Sequence, residues 1–118
     1  MNFDDAIKVH TYWKVTLRWM INGHRPVDAA ETADPHRCEL GLWIDGEGKR
    51  YADLPEFIRL VQEHADFHRV AATAINKVRS GLNLEADEML GPDGAFTQAS
   101  MRTIDAIRAL KAQVEQSA

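Results

Sequence analysis

Three histidines and the single cysteine are the residues of this sequence whose types and spacing could do metal chemistry. His64 and His68 are four residues apart, so on a helix both imidazoles leave the same face and can bind one ion. His10 lies far upstream of them, and Cys38 lies between. Three neutral imidazoles and one thiolate suit tetrahedral zinc. We therefore predict that His10, Cys38, His64 and His68 bind one Zn²⁺ ion.

The first predicted helix must carry His10 into the interior of the fold. It runs from about Phe3 to about Ile21, with Asn2 as a suitable N-cap and Gly23 as a stop. Its apolar stripe has steps of three and four and comprises Phe3, Ile7, His10, Trp13, Leu17 and Met20. Because a buried imidazole needs partners for its nitrogens, a metal ion is a natural solution there.

The second long helix carries the His64–His68 pair. Asp53, three residues before Glu56, resembles a capping box, and Gly81 is expected to end the helix. The predicted stripe comprises Leu54, Phe57, Ile58, Val61, His64, Ala65, His68, Ala72, Ile75 and Val78. Both histidines therefore face the same interior as His10.

The remaining segments predict an all-α fold. A loop from Asn22 to about Ala33 precedes a short helix that runs through Cys38 to Trp43. Residues 82–93 are acidic and turn-rich, and a last helix runs from about Ala95 to about Gln116. We expect a small helical bundle of three sizeable helices and one short one, forming a single domain over residues 1–118.

Composition excludes several classes of protein. The net charge is −4, from 18 acidic and 14 basic residues, and no basic cluster suggests a nucleic-acid surface. No apolar run is long enough to span a bilayer, and the acidic start lacks the features of a signal peptide. One cysteine cannot form an intrachain disulfide. We expect a cytoplasmic protein with a reduced thiol.

Each candidate also has an ordinary structural explanation. A buried histidine is more often a hydrogen-bonded core residue, and a lone cysteine is usually a small buried hydrophobe. Trp13 and Trp43 are expected beside the ligands, although plain core aromatics fit them as well. His36 should face away from Cys38, and His24 should cap a helix end or meet solvent.

The pattern as a whole resembles the chemoreceptor zinc-binding domain family, often called CZB. Its motifs read His10-Thr11-Tyr12-Trp13, then Cys38-Glu39-Leu40-Gly41-Leu42-Trp43, then His64-Ala65-Asp66-Phe67-His68. The similarity covers about residues 3–80, and the central motif is its most specific part. The resemblance implies a zinc site of His10, Cys38, His64 and His68 in a bundle that commonly dimerises.

The resemblance also implies a regulatory role. Such domains are attached to chemoreceptors and to diguanylate cyclases, where they respond to zinc or to oxidants such as hypochlorous acid. No output domain is recognisable in this sequence, so we expect the signal to pass through a partner protein of a chemoreceptor or cyclase pathway, or through self-association. Ile104, Ile107, Leu110 and Val114 approximate coiled-coil spacing, so they predict either a homodimer or packing within their own bundle.

Two other functions compete with sensing. One is a purely structural zinc site in a dimerising adaptor. The other is an enzyme, either a zinc hydrolase or a cysteine–histidine nucleophilic catalyst. Four protein ligands leave no coordination position for a catalytic water, and Glu63 should point away from the metal. We therefore expect that the protein is not an enzyme.

Overall fold

Helices make up the whole architecture of the part of the chain that the structure describes. The computed structural model describes residues 2–22, 32–36 and 38–116. Within them lie α1 (Phe3–Ile21), α2 (Glu39–Asp45), a 3₁₀ turn (Glu47–Tyr51), α3 (Pro55–Arg79), α4 (Asn83–Met89) and α5 (Ala95–Gln116). The predicted all-α class is confirmed, and these residues form no strand. None of these helices has the length and hydropathy that crossing a bilayer requires.

The helix ends match the sequence signals in part. The side chain of Asn2 caps α1, since its Oδ1 accepts the backbone N–H of Asp4 at 2.7 Å. Gly81 follows the end of α3 with φ of 81°, a conformation that favours glycine. The expected capping role of Asp53 is wrong, because the N-cap residue is Leu54 and no side chain caps it.

Two features of the middle of the chain differ from prediction. The segment expected to be only turns contains α4, a two-turn helix whose Ala86 is fully buried. The buried face of α3 is also rotated, because Ile58 and Val61 are exposed while Leu60 and Phe67 are fully buried. Most of the predicted loop at 22–33, with His24, lies outside the described residues, as does the side chain of Met20.

The buried interior divides into two apolar clusters with a polar layer between them. The Phe96 cluster comprises Leu17, Phe67, Val70, Ala71, Ala72, Ala74, Ile75, Leu90, Phe96 and Ala99. The Leu110 cluster comprises Ala6, Leu40, Ile44, Phe57, Leu60, Ala106, Ile107 and Leu110. The buried polar residues, which we call the polar layer, are His10, His64, His68, Ser100 and Thr103.

Each long helix contributes to this layer at the same level of the bundle. On α1, His10 falls between Ala6 of one cluster and Leu17 of the other. The histidines of α3 follow Leu60, and the hydroxyls of α5 lie between Ala99 and Ala106. α5 packs along both α1 and α3, whereas the backbones of α1 and α3 approach each other closely at few points and the two helices meet through rings such as those of Trp13 and Phe67. α5 therefore joins the two histidine-bearing helices.

The stripe of α5 that resembled a coiled coil packs against other helices of the same chain. Ile107 and Leu110 are fully buried, and Ile104 and Val114 are half-buried. α1 instead exposes a second apolar face that the sequence analysis did not single out. That face consists of Val9, Tyr12, Val15 and Trp19, each at least 45% exposed.

Candidate metal centre

His10 brings an unpartnered nitrogen into the middle of the bundle. Its Nδ1 lies 2.8 Å from the carbonyl oxygen of Ala6, one turn earlier on α1, and so carries the proton that this bond requires. The other ring nitrogen, Nε2, is buried and has no hydrogen-bond partner among the residues that the structure describes. An orphaned buried nitrogen of this kind is costly unless something outside the protein binds it.

The pair on α3 meets His10 as its spacing predicted. The Nδ1 of His68 lies 2.9 Å from the carbonyl oxygen of Thr32 and donates to it, which leaves the lone pair on Nε2. That Nε2 is 3.0 Å from the Nε2 of His64. The rings of His10 and His64 lie edge to face at a centroid distance of 5.5 Å. All three imidazoles therefore converge on one point.

Cys38 reaches the same point from the start of α2. It is the N-cap of that helix, and its Sγ accepts the backbone N–H of Gly41 at 3.4 Å. The Sγ lies 3.1 Å from the Nε2 of His64. Gly41 is required here because a Cβ on it would stand 1.8 Å from the carbonyl oxygen of Pro35. That close approach places the backbone of Pro35 against the first turn of α2, which Cys38 caps.

The four predicted residues thus form one cluster of donors. One ligand atom from each of His10, Cys38, His64 and His68 lies within 4.8 Å of the other three. A zinc tetrahedron with bonds of about 2.0–2.3 Å has edges of about 3.3–3.7 Å, so small adjustments suffice.

Hydrogen bonding alone leaves this cluster incomplete. The Nε2 of His64 has both the Cys38 sulfur and the His68 Nε2 as neighbours, but it can hold only one proton. The Nε2 of His10 has no partner at all. A single cation would satisfy all four donors at once, so these residues fit a metal ion.

Burial sets the protonation of the cluster. Desolvation lowers the pKa of His10 and of His68, and it lowers that of His64 to about 2, with His68 and His10 adding to the effect. The imidazoles are therefore neutral, as metal ligands must be. Burial raises the pKa of the Cys38 thiol, so metal binding must displace its proton.

Comparison with known families agrees with this geometry. Residues 10–75, more than half of the chain, match the model of the chemoreceptor zinc-binding domain. The chain belongs to that family. Searches of curated proteins and of solved structures gave no match. The matched span contains all four cluster residues, which supports a zinc-binding module.

Aromatic rings cover one side of the site in this chemoreceptor zinc-binding domain. The ring of Trp13 packs edge-on at 5.9 Å from that of His68, and the ring of Phe67 lies 5.2 Å from that of His10. Trp43 behaves differently, since it packs with Phe3 and Tyr51 beside the Leu110 cluster. The expectation for Trp13 is confirmed, and Trp43 is an ordinary core aromatic.

Two nearby polar residues face elsewhere. His36 is exposed, and its Nδ1 lies 2.7 Å from a carboxylate oxygen of Asp45. Glu63 also points away from the cluster, because its carboxylate accepts from Arg102 at 2.8 Å. Neither His36 nor Glu63 belongs to the donor cluster that the structure describes.

Sequence reasoning missed two members of the polar layer, Ser100 and Thr103 of α5. The stripe of α5 includes Phe96, Ile107 and Leu110, and the two hydroxyl residues interrupt it at helical spacing. A polar interruption inside an apolar stripe was the available signal. The role of the two hydroxyls depends on which backbone carbonyls lie opposite them, and only the folded structure shows which these are.

Proposed function

We propose that this chemoreceptor zinc-binding domain is a regulatory module that binds one Zn²⁺ with His10, Cys38, His64 and His68. The observation that carries the proposal is the convergence of four donor atoms within 4.8 Å around a buried, partnerless Nε2 of His10. Zinc fits this set because it prefers four nitrogen and sulfur ligands in a tetrahedron. The ion would link α1, α2 and α3 at the level of the polar layer.

The proposed role is binding and not catalysis. Four protein donors would fill a tetrahedral site, so no position remains for a reactive water. The carboxylate of Glu63 is engaged by Arg102 and does not reach the cluster. Burial raises the pKa of the Cys38 thiol, whereas a catalytic cysteine needs a lowered one.

The proposed signal acts on the sulfur of Cys38. Hypochlorous acid would oxidise the thiolate to a sulfenic acid and release chloride, RS⁻ + HOCl → RSOH + Cl⁻. The sulfenic acid is a poorer ligand, and the same sulfur caps α2, so both the metal bond and the cap would weaken. Changes in zinc concentration would form a second signal, because metal binding is coupled to folding. A reducing, cytoplasmic setting is part of the proposal, since Cys38 must start as a thiol.

The output would pass to a second protein, and we include a homodimer in the proposal. The exposed apolar face of α1, formed by Val9, Tyr12, Val15 and Trp19, suits a second copy of the chain. α1 is acidic in its first turn and basic in its last, so antiparallel pairing of two copies would bring opposite charges together, in addition to the pairs that Asp4 makes with Lys111 and Arg18 with Asp87 in the same chain. Light scattering should give twice the chain mass, and Tyr12→Glu should give a monomer while Leu84→Glu, on α4, should not.

A structural zinc site in a dimerising adaptor is the alternative. The burial of the polar layer between two apolar clusters favours it, because a metal there would hold three helices together. The two functions differ in their response to oxidant. One equivalent of hypochlorous acid should release zinc from a sensor, and a chromogenic chelator would report the release. Retention of zinc after oxidant treatment would support the structural role and contradict sensing.

Zinc stoichiometry tests the site itself. Plasma mass spectrometry on protein purified without added metal should give about one zinc per chain. Cys38→Ser and His64→Ala should reduce that content strongly, whereas His36→Ala, which changes an exposed histidine outside the cluster, should retain it. A wild-type protein that lacks zinc and does not take up added zinc would refute the proposal.

A further inference from the structure

A hydroxyl of α5 is bonded to the backbone of a proposed metal ligand. Ser100 is 8% exposed, and its Oγ donates to the carbonyl oxygen of His10 at 3.1 Å. Serine inside a helix commonly bonds to a carbonyl one turn earlier in its own helix. Here the bond crosses from α5 to α1 and ends on the residue that carries the orphaned Nε2.

A second hydroxyl makes the equivalent contact with α3. Thr103 is fully buried, and its Oγ1 lies 3.1 Å from the carbonyl oxygen of Glu63, the residue before His64. The same Oγ1 is 3.0 Å from the carbonyl oxygen of Ala99 in its own helix. A hydroxyl has one proton, so these two carbonyls share it. Ser100 and Thr103 are one turn apart and face the same layer.

An ion pair strengthens the link to α3. Arg102, between the two hydroxyl residues, donates to the carboxylate of Glu63 at 2.8 Å and to that of Asp66 at 3.0 Å. Glu63 and Asp66 flank His64 on α3. Three residues within one turn of α5 therefore contact the backbone or side chains beside two of the proposed ligands.

We propose that Ser100 and Thr103 are positioning residues for the metal centre. Their hydroxyls fix the height of His10 on α1 relative to His64 on α3. The proposal rests on the proposed zinc binding, and it concerns residues outside the matched family span of 10–75.

The packing of the helices explains why such positioning is needed. The backbones of α1 and α3 approach each other closely at few points, and the two helices meet through side-chain rings such as those of Trp13 and Phe67, whereas each packs more closely against α5. Apolar contacts are non-directional, so they permit small axial shifts of one helix along another. A shift by one residue moves a side chain about 1.5 Å along the axis. Zinc bonds tolerate only about 0.2 Å. Directional hydrogen bonds from one α5 turn to both helices supply the missing constraint.

Cobalt and zinc titrations of matched variants test this inference. Ser100→Ala and Thr103→Val each remove one hydroxyl with little change in volume. We expect about tenfold weaker zinc binding in each, the loss typical of groups that orient metal ligands. The visible bands of Co²⁺, which report tetrahedral geometry and the thiolate bond, should shift. Thr103→Ser restores the hydroxyl and should restore both the affinity and the bands.

Thr73→Val is the control. The hydroxyl of Thr73 bonds within its own helix to the carbonyl oxygen of Arg69, at 3.0 Å, and Thr73 is not in the polar layer, so its loss should leave metal binding unchanged. All titrations are made where circular dichroism shows native helicity. If Ser100→Ala is not folded, the comparison of Thr103→Val with Thr103→Ser decides, and if Thr103→Val is not folded, the comparison of Ser100→Ala with Thr103→Ser decides.

The outcomes separate this inference from the proposed function. Wild-type zinc affinity and cobalt bands in Ser100→Ala and Thr103→Val would overturn the positioning role, even if both variants unfold more easily. A wild-type protein that binds neither metal would overturn the proposed zinc site and the positioning role together. Weaker binding with altered bands, restored by Thr103→Ser, would establish the positioning role.

Discussion

The polar layer and the Leu110 cluster are equally buried, yet burial has opposite consequences in the two. In the Leu110 cluster, side chains such as Leu60 and Ile107 are withdrawn from water and stabilise the fold. In the polar layer, the Nε2 of His10 is withdrawn from water without any partner. Burial of that nitrogen costs free energy unless a cation binds it. The proposed metal site therefore lies where burial costs the metal-free fold free energy.

The largest expected effect on stability comes from a substitution in the Leu110 cluster. Leu110→Ala removes a fully buried side chain of α5 and should lower the free energy of unfolding by about 2–5 kcal/mol. Zinc stoichiometry should stay the same wherever the variant is folded, because no buried member of the Leu110 cluster is a donor and Cys38 packs only against its edge through partly buried atoms. Urea denaturation of metal-free protein measures the first quantity, and plasma mass spectrometry measures the second.

Leu84→Ala provides the matched control for that variant. Leu84 is 79% exposed on α4, so its truncation should change the unfolding free energy by less than about 0.5 kcal/mol. If folded Leu110→Ala lost its zinc, the two regions would be coupled and the contrast between them would be wrong.

The next-largest expected effect is a gain in the stability of the metal-free protein. His10→Leu replaces the imidazole of the partnerless Nε2 by an apolar side chain of similar size. The metal-free protein should become more stable by about 1–3 kcal/mol, the usual cost of an unsatisfied buried polar group. Added zinc should then stabilise the variant far less than the wild type. Urea denaturation with chelator and again with zinc measures both.

His36→Leu is the comparison for His10→Leu, because His36 is exposed and paired with Asp45. It should bring no gain in stability without metal and no loss of zinc stabilisation. A destabilised metal-free His10→Leu would show that the imidazole contributes to packing more than its orphaned nitrogen costs.

Acid should lower the stability of the fold through the histidines of the polar layer and not through the apolar clusters. The pKa of His64 is lowered from 6.5 to about 2, so below pH 6.5 the unfolded chain takes up a proton that the fold excludes. Stability present above pH 6.5 is therefore lost as the pH falls towards 2. The slope is at most about 1.4 kcal/mol per pH unit for each such imidazole. Urea denaturation of metal-free protein between pH 7.5 and 5 measures it.

Two variants separate the sources of that slope. His64→Leu should reduce the slope by the contribution of one imidazole. Leu110→Ala should lower the free energy of unfolding equally at every pH and leave the slope unchanged. An unchanged slope in His64→Leu would mean that other groups dominate the acid response.

Much of this arrangement could be read from the sequence, because helical periodicity and metal-ligand spacing are local signals. The bounds of α1 and α5 and the inward direction of His10, His64 and His68 follow from apolar stripes with capping residues. The lone Cys38 between the histidines completed a ligand set suited to zinc, the resemblance of the three motifs supported that set, and the structure brings all four together.

The rest depends on tertiary contacts that leave weak traces in a sequence. α4 was missed because it has no capping side chain and begins among acidic turn residues. The face of α3 was misjudged because Ile58 and Val61 are apolar but lie outside the bundle, while Leu60 lies inside. Ser100 and Thr103 gain their meaning only from the carbonyls of α1 and α3 opposite them.

At the proposed zinc site, the cap of α2 would tie the lifetime of the bound ion to the fraying of that helix. One atom, the Sγ of Cys38, holds the first turn of α2 through Gly41 and stands 3.1 Å from His64. α2 has only seven residues, too few to persist without tertiary and capping support. Departure of the sulfur from the proposed site would fray the turn, and fraying of the turn would move the sulfur away from the other donors. Release of a bound zinc ion and fraying of α2 would then be one kinetic event, and exchange of the Gly41 amide with deuterium would report the residence time of zinc.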